Sequence, residues 1–127
     1  IAYALAEAGV RRLVVANRDA ARGEALAAGV AAIFPRVASE AGPADPTGVD
    51  LVVNATSLGL HAGDSLPVDP ARAEPHAVVC EIIMKPERTR LVEAAEAAGL
   101  AVHLGRHMLD HQVPMLARYI GAFDDGG

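Results

Sequence analysis

Two arginines follow a short apolar run near the start of the sequence closely enough to bind one anion. The run covers residues 13–16, and Asn17, Arg18 and, one helical turn further on, Arg22 come after it. Each guanidinium offers forked donors that match phosphate oxygens, and a dinucleotide-binding fold places an arginine at this point when it accepts a ribose 2′-phosphate. Alternatively, both arginines are solvated residues at a helix start, where a cation is poorly placed against the helix dipole. Asp19 would repel a phosphate unless it only caps that helix.

A second polar cluster follows another apolar run, which ends at Val53. The cluster contains Asn54, Thr56 and Ser57, and Gly59 comes shortly after them. Hydroxyl groups and an accessible backbone at the end of a strand are suited to hold a ribose or a carboxamide. The alternative is a turn closed by Asn and Ser/Thr side chains, which form such turns without any ligand.

Alternating strands and helices are predicted to position these residues. Continuous apolar runs predict strands, and Ala-rich or amphipathic stretches that end at glycine predict helices. The predicted strands cover residues 13–16, 30–34, 51–54, 77–83 and 100–104. The predicted helices cover residues 1–8, 19–28, 89–98 and 107–123, and the Gly- and Pro-rich segments 39–48 and 55–75 are predicted loops, the first with one turn of helix at most.

This alternation predicts an α/β fold, a doubly wound parallel sheet of the Rossmann-like, three-layer α/β/α type. Ligands of such sheets bind beyond the carboxyl ends of the strands. Polar residues or glycines follow four of the predicted strands, after Ala16, Val53, Cys80 and Leu104. The sequence therefore predicts one binding groove at these four places.

The composition argues against several other classes of function. The chain has 127 residues and a net charge of −5, so it offers no broad basic surface to a nucleic acid. Its single cysteine cannot form an internal disulfide. No apolar run reaches the roughly 18 residues that a membrane helix needs. We therefore expect a cytoplasmic protein that binds neither nucleic acid nor membrane.

Histidines and the cysteine are weaker candidates for chemistry. His103, His107 and His111 are spaced by four residues, but they lack the carboxylate pattern of a metalloprotease, and we predict no metal site. Cys80 lies in an apolar strand and is interpreted as an inert thiol. Lys85 follows a strand end and is interpreted as a solvated loop residue rather than a catalytic base.

Four motifs, taken together, resemble the shikimate dehydrogenases. They are Asn17-Arg18, the segment Asn54-Ala-Thr-Ser-Leu-Gly-Leu60, Pro86-x-x-Thr89, and Gly105-x-x-Met108-Leu109-x-x-Gln112. They occur in that order, and the resemblance covers about residues 1–120. The second and the fourth motifs are specific as a pair.

The resemblance implies a role for each matching residue. Asn17, Arg18 and Arg22 would hold the 2′-phosphate of NADP. Other residues would line the cofactor near its ribose or its nicotinamide, namely Asn54, Thr56, Ser57, Ile82, Gly105 and Met108. Gln112 would hydrogen-bond a hydroxyl of the substrate. In the family a lysine–aspartate pair on a separate N-terminal domain performs the acid–base chemistry, and this chain has no counterpart of it, so no catalytic residue is predicted here.

Three departures from the family pattern bear on specificity. Glu81 stands where the family usually has Asp, and Met84 where it has a tyrosine that holds the substrate. A thioether cannot replace that hydroxyl as a donor, so shikimate as the substrate is in doubt. Asp19 replaces a common Thr or Ser, which weakens the expected preference for NADP over NAD.

We therefore expect the NADP-binding part of a shikimate dehydrogenase-like oxidoreductase. Residues 1–123 would form the Rossmann-like domain, incomplete at its N-terminus because no glycine-rich phosphate loop is present, and residues 124–127 a frayed tail. The expected partners are a small cyclic polyol acid and, as an assembly, a homodimer. The alternatives are a quinate dehydrogenase, a non-catalytic NADP-binding module, or another two-domain dehydrogenase, which the Gly105–Gln112 motif disfavours.

Overall fold

The structure is a computed structural model that describes residues 1–107. It divides into two compact units, Ile1–Asp45 and a second that begins at Pro46. All but the first residue of the predicted helix at 107–123, the predicted tail, Met108 and Gln112 lie outside the described residues. The predicted α/β class is confirmed, with all strand pairs parallel, and the strands form one sheet of two and one of three.

The first unit contains two helices and a two-stranded parallel sheet. Its elements in chain order are α1 (Ala2–Glu7), β1 (Arg12–Val15), α2 (Ala20–Ile33) and β2 (Ala38–Ala41). In β1 and β2, Arg12 pairs with Ala38 and Val15 with Ala41. The core of the unit is small because it is built around three buried residues, Ala6, Val30 and Val37.

The prediction of a strand at residues 30–34 is wrong, because these residues belong to the end of α2 and its cap at Phe34. Val30 is fully buried there, so helix packing rather than strand pairing uses its apolar side chain. Gly29 does not end the helix either. A Cβ atom at Gly29 would meet only the hydroxyl end of the exposed Tyr3 side chain.

The strand that pairs with β1 was predicted to be a loop. β2 has the sequence Ala-Ser-Glu-Ala, with no apolar alternation and mostly exposed residues. Its extended conformation is fixed by the backbone bonds to β1, which no local pattern reveals. The predicted helices at 1–8 and 89–98 are confirmed, with Gly9 and Gly99 at positive φ just after α1 and α3 (Arg90–Ala97).

The second unit contains the three-stranded sheet. Its strands are β3 (Leu51–Asn54), β4 (Val78–Glu81) and β5 (Ala101–His103), and a short 3-10 helix, Pro70–Arg72, precedes β4. The strand order is β3-β4-β5, and α3 connects β4 to β5. Val79, Leu91, Ala95 and Leu100 form the buried core. The three strands predicted in this part are confirmed within a few residues.

Among residues 1–107, no helix is long and apolar enough to cross a membrane.

Candidate functional site

The three strands of the second unit end at one edge of their sheet. Asn54, the last residue of β3, pairs in register with Glu81, the last residue of β4. The backbone N–H of Ile82 donates to the carbonyl of Asn54 at 3.3 Å. The polar end of β3 and the predicted nicotinamide-facing residue after β4 are therefore neighbours.

Gly105 lies directly against the backbone that follows β4. A Cβ atom at Gly105 would stand 2.5 Å from the Ile82 carbonyl oxygen and 2.9 Å from that of Glu81. Real Cβ atoms do not approach so closely, so only glycine fits this position. Ile82 and Gly105, which were predicted to contact the same part of a cofactor, are thus in close backbone contact, with no room for a side chain on residue 105.

Asn54 closes the loop after β3, residues 54–58, which we call the 54–58 loop. Its Oδ1 accepts from the Thr56 N–H at 3.1 Å and from the Thr56 hydroxyl at 2.6 Å, and its Nδ2 donates to the Leu58 carbonyl at 3.0 Å. Thr56 Oγ1 in turn accepts from the Leu58 N–H at 3.1 Å. The turn that the sequence offered as an alternative is therefore present.

This turn engages the hydroxyl of only one of the two predicted hydroxyl ligands. The Thr56 hydroxyl already donates and accepts within the loop, although Thr56 is exposed. Ser57 is also exposed, and its side chain bonds to no other residue in the described part of the chain. Of the two, Ser57 has the hydroxyl that is free to meet a ligand.

A buried polar network, which the sequence did not predict, lies beneath the loop. Its members are Asn54, Glu81 and Thr89, which are 3%, 1% and 1% exposed. Asn54 Nδ2 lies 3.0 Å from Glu81 Oε1 and 3.1 Å from Oε2. Glu81 also accepts from the Thr89 hydroxyl at 2.9 Å and the Ile83 N–H at 3.2 Å. The sequence did contain an indication of this network. Glu81 stands near the end of a predicted buried strand, and a buried carboxyl group requires hydrogen-bond donors.

Thr89 also begins α3. Its Oγ1 accepts from the Val92 N–H at 3.3 Å, the bond of a helix N-cap. One hydroxyl therefore joins the start of α3 to the carboxylate at the end of β4.

The next loop, residues 59–64, is held by Asp64. The Asp64 carboxylate accepts from the N–H groups of Gly59 and His61 at 3.0 and 3.1 Å. These bonds stabilise the ionised form, so they lower the pKa of Asp64 below its ordinary value. The Asp64 carbonyl also accepts from the Arg90 guanidinium at 2.8 Å, which ties the loop to α3.

The segment after Ile83 is exposed and charged. Met84 is 46% exposed, Lys85 is exposed, and the Lys85–Pro86 peptide bond is cis. Arg88 bonds to Glu96 on α3, which raises the pKa of the arginine and lowers that of the glutamate.

Cys80 and the histidines within residues 1–107 form no second centre, and His111 lies outside the described residues. Burial raises the pKa of the Cys80 thiol, which agrees with an inert group. The rings of His103 and His107 stand 5.1 Å apart. Among residues 1–107, no cluster of three or more His, Cys, Asp or Glu side chains could hold a metal ion.

In the first unit, the predicted phosphate ligands surround the start of α2. Asn17 Oδ1 accepts from the Asp19 N–H at 2.9 Å, and Asp19 caps α2 by accepting from the Arg22 N–H at 3.2 Å. Arg22 Nε lies 3.6 Å from Asp19 Oδ2, so part of its charge is already compensated. Arg18 is exposed, and its side chain pairs with no other described residue. Asp19 thus has the capping role that the sequence left open, and Arg18 is the more available cation.

A cavity of about 240 Å³ opens beside these residues, at the carboxyl ends of β1 and β2. Its lining includes Asn17, Ala20, Gly23 and Gly42. Gly23 is buried, and a Cβ atom there would lie 3.3 Å from Asn17 Cβ. Small residues therefore keep this end of the small sheet open. The predicted convergence of Asn17 with Thr56 and Gly105 in one groove stays a prediction, because Asn17 belongs to the first unit and the other two residues belong to the second.

Comparison with known proteins identifies relatives in sequence. No protein-family profile matches the chain. A shikimate dehydrogenase (NADP(+)) of Methylobacterium radiotolerans is 41% identical over 122 residues, which are 95% of this chain and 43% of that protein. One from Rubrobacter xylanophilus is 38% identical over 121 residues, 88% of this chain and 41% of that protein.

Solved structures give the same result. The 5-ketofructose reductase of Gluconobacter sp. strain CHM43 has a TM-score of 0.77 and 33% identity, over 86% of this chain and 41% of that one. The quinate dehydrogenase of Corynebacterium glutamicum, in complex with NAD, has a TM-score of 0.74 and 32% identity, over 87% and 41%. The shikimate 5-dehydrogenase of Thermus thermophilus, in complex with NADP(H) and shikimate, has 0.73 and 32%, over 86% and 39%.

The parallel α/β units and the site at their strand ends place the chain in the Rossmann-like class. Within that class its sequence matches the C-terminal part of shikimate dehydrogenases at 38–41% identity. The chain spans somewhat less than half the length of the relatives it matches.

Gly105→Ala tests the close contact between Gly105 and the Ile82 backbone. The added methyl group would overlap the Ile82 carbonyl, so we expect the free energy of unfolding to fall by about 1–3 kcal/mol. Gly63→Ala is the matched control, since a Cβ atom there has no neighbour within 4 Å. Its effect should stay within about 0.5 kcal/mol. Urea unfolding of both variants measures the difference, and equal effects would contradict the close approach.

The pKa of Asp64 makes its loop sensitive to acid. A carboxylate whose pKa is lowered by folding stabilises the fold above its ordinary pKa and loses that effect as the pH falls through the lowered value. We therefore expect the Gly59 and His61 amides to lose protection from hydrogen exchange below a pH of about 4. Asp64→Asn should remove this pH dependence, whereas Asp69→Asn should leave it intact. A pH-independent protection in the wild type would refute the assignment.

Proposed function

We propose that this chain is the NADP(H)-binding part of a shikimate dehydrogenase-like oxidoreductase. The observation that carries the proposal is the close backbone contact of Gly105 with Ile82 at the ends of β4 and β5, which brings the two predicted nicotinamide-facing positions together. The nicotinamide would lie against this backbone. Relatives named as NADP-dependent shikimate dehydrogenases and a neighbour solved with NADP(H) support the same assignment.

Several residues of the chain would hold the cofactor. Arg18 and Asn17 would bind the 2′-phosphate. Arg22 would contribute less, because the nearby Asp19 carboxylate compensates part of its positive charge. Ser57 would present its hydroxyl near the ribose of the nicotinamide, and Asn54 and Thr56 would shape the loop that carries it. The bound cofactor would supply the hydride chemistry. Met108 and Gln112, beside the nicotinamide and the substrate respectively, remain proposals from the family resemblance.

The substrate would be shikimate or a related cyclic polyol acid, with 3-dehydroshikimate reduced to shikimate. Acid–base groups would come from a separate N-terminal domain, as the family resemblance implies, and this chain would position the cofactor for them. A cytoplasmic location and a homodimer remain predictions of the same kind.

Two observations favour a second candidate class of substrate. A quinate dehydrogenase and a 5-ketofructose reductase are similar to this chain at 32% and 33% identity. Met84 is exposed beside the site and has no hydroxyl to offer a substrate. We therefore propose quinate, or an open or cyclic keto-polyol, as the second candidate class of substrate. A non-catalytic NADP-binding module is the remaining alternative.

Arg18→Ala tests the phosphate site with fragments of the cofactor. Loss of a charge-assisted bond should weaken binding of 2′,5′-ADP by about ten- to one-hundredfold. Binding of 5′-AMP, which lacks the 2′-phosphate, should not change. Arg36→Ala is the control, since Arg36 is an exposed arginine in the same unit. NMR titrations of the two variants with the two nucleotides measure the four affinities. An equal loss of affinity for both nucleotides in Arg18→Ala would contradict the assignment.

The 127-residue chain should show negligible turnover by itself. Incubated with NADP+ and shikimate, or with NADP+ and quinate, it should produce no NADPH above background, because it lacks the acid–base pair. The Thermus thermophilus enzyme serves as the positive control in the same assay. Clear turnover by the chain alone would overturn this division of labour between domains. Absence of NADPH binding to the protein would overturn the proposed function itself.

A further inference from the structure

We propose that Glu81 is a positioning residue that fixes the hydrogen-bond pattern of the 54–58 loop through Asn54. The carboxylate of Glu81 holds the Asn54 amide in one orientation, and Asn54 then orients Thr56. The link from this loop to cofactor affinity rests on the proposed function. The link from Glu81 to the loop conformation does not.

The first step is the chemistry of the carboxylate. An ionised carboxylate has acceptors only, and both oxygens of Glu81 are approached by donors. Asn54 Nδ2 reaches both oxygens, at 3.0 and 3.1 Å. Because Glu81 is 1% exposed, no bulk water can replace a missing donor. The NH2 end of the Asn54 amide must therefore face Glu81.

The second step is the other end of the same amide. With Nδ2 turned to Glu81 and to the Leu58 carbonyl, Oδ1 faces the Thr56 N–H and the Thr56 hydroxyl. The hydroxyl then has to donate to Asn54, which leaves an oxygen lone pair for the Leu58 N–H. The direction of each bond follows from the one before it, and the series begins at the carboxylate.

The third step is the position of the loop on the rest of the unit. Gly59, just after the loop, has φ of +116°, and a Cβ atom there would lie 3.2 Å from Ile83 Cδ1 and 3.4 Å from Thr89 Cβ. Ile83 and Thr89 both donate to Glu81. The same carboxylate thus fixes the residues against which the loop packs. Ser57, whose hydroxyl stays outside this series of bonds, is presented at the exposed part of the loop.

Glu81→Gln tests the proposal with little change in size. The glutamine NH2 group would stand close to Asn54 Nδ2 in either orientation, since that nitrogen lies 3.0 and 3.1 Å from the two carboxylate oxygens. Two donors would then face each other. We expect hydrogen exchange of the Thr56 and Leu58 amides to become about fivefold faster or more, as for the loss of one hydrogen bond. Exchange of core amides such as that of Ala95 should remain slow.

Two further variants separate positioning from general stability. Glu93→Gln makes the same chemical change at an exposed glutamate of α3 and should leave the loop amides unchanged. Glu81→Asp keeps an acceptor-only carboxylate and should restore most of the protection that Glu81→Gln loses. NADPH affinity, measured by fluorescence, should fall for Glu81→Gln and recover for Glu81→Asp.

Thr56→Val keeps the proposal testable even if Glu81→Gln does not fold. This change removes only the last link, so the Leu58 amide should lose protection while the Thr56 amide keeps its bond to Asn54. The proposal is overturned if Glu81→Gln folds and leaves both loop amides protected, or if Thr56→Val exposes both amides equally. A wild-type protein that does not bind NADPH would instead refute the proposed function, with the exchange results unaffected.

Discussion

The parallel register of β3, β4 and β5 is the constraint on which the rest of the second unit depends. It brings Asn54 level with Glu81, so that one amide and one carboxylate meet at the buried end of the sheet. A carboxylate surrounded only by apolar side chains would destabilise the fold, because an unpaired charge in the interior is strongly unfavourable. The hydrogen bonds that satisfy it also fix the conformation of the loop above the sheet.

In the first unit, small residues rather than a buried polar network shape the ends of the strands. Its strand-end opening depends on small residues, since Gly23 lets α2 start close to the end of β1 and Gly42 adds no side chain to the cavity. Asp19 caps α2 and remains beside Arg22, which leaves Arg18 as the exposed cation. The helix cap and the candidate anion site therefore share residues, and a change to one alters the other.

The resemblance to shikimate dehydrogenases is clear in sequence, but its consequences differ between residues. Gly105 is constrained by close backbone contact whatever the ligand. Thr56 has an exposed position and yet a structural role, because its hydroxyl is engaged within its own loop. Met84 is exposed, so a substitution there would disturb little packing.

The sequence by itself determined the α/β class, the approximate positions of four of the five strands within residues 1–107, and the strand-end location of the polar residues, because periodicity and glycine position are local signals. Only the tertiary structure decided that residues 30–34 are helical and that Ala38–Ala41 is a strand, since strand pairing outweighs weak local preference. It also decided the role of Glu81. Its partners are separated from it by up to 27 residues in the chain, and no local pattern records a contact between two strand ends.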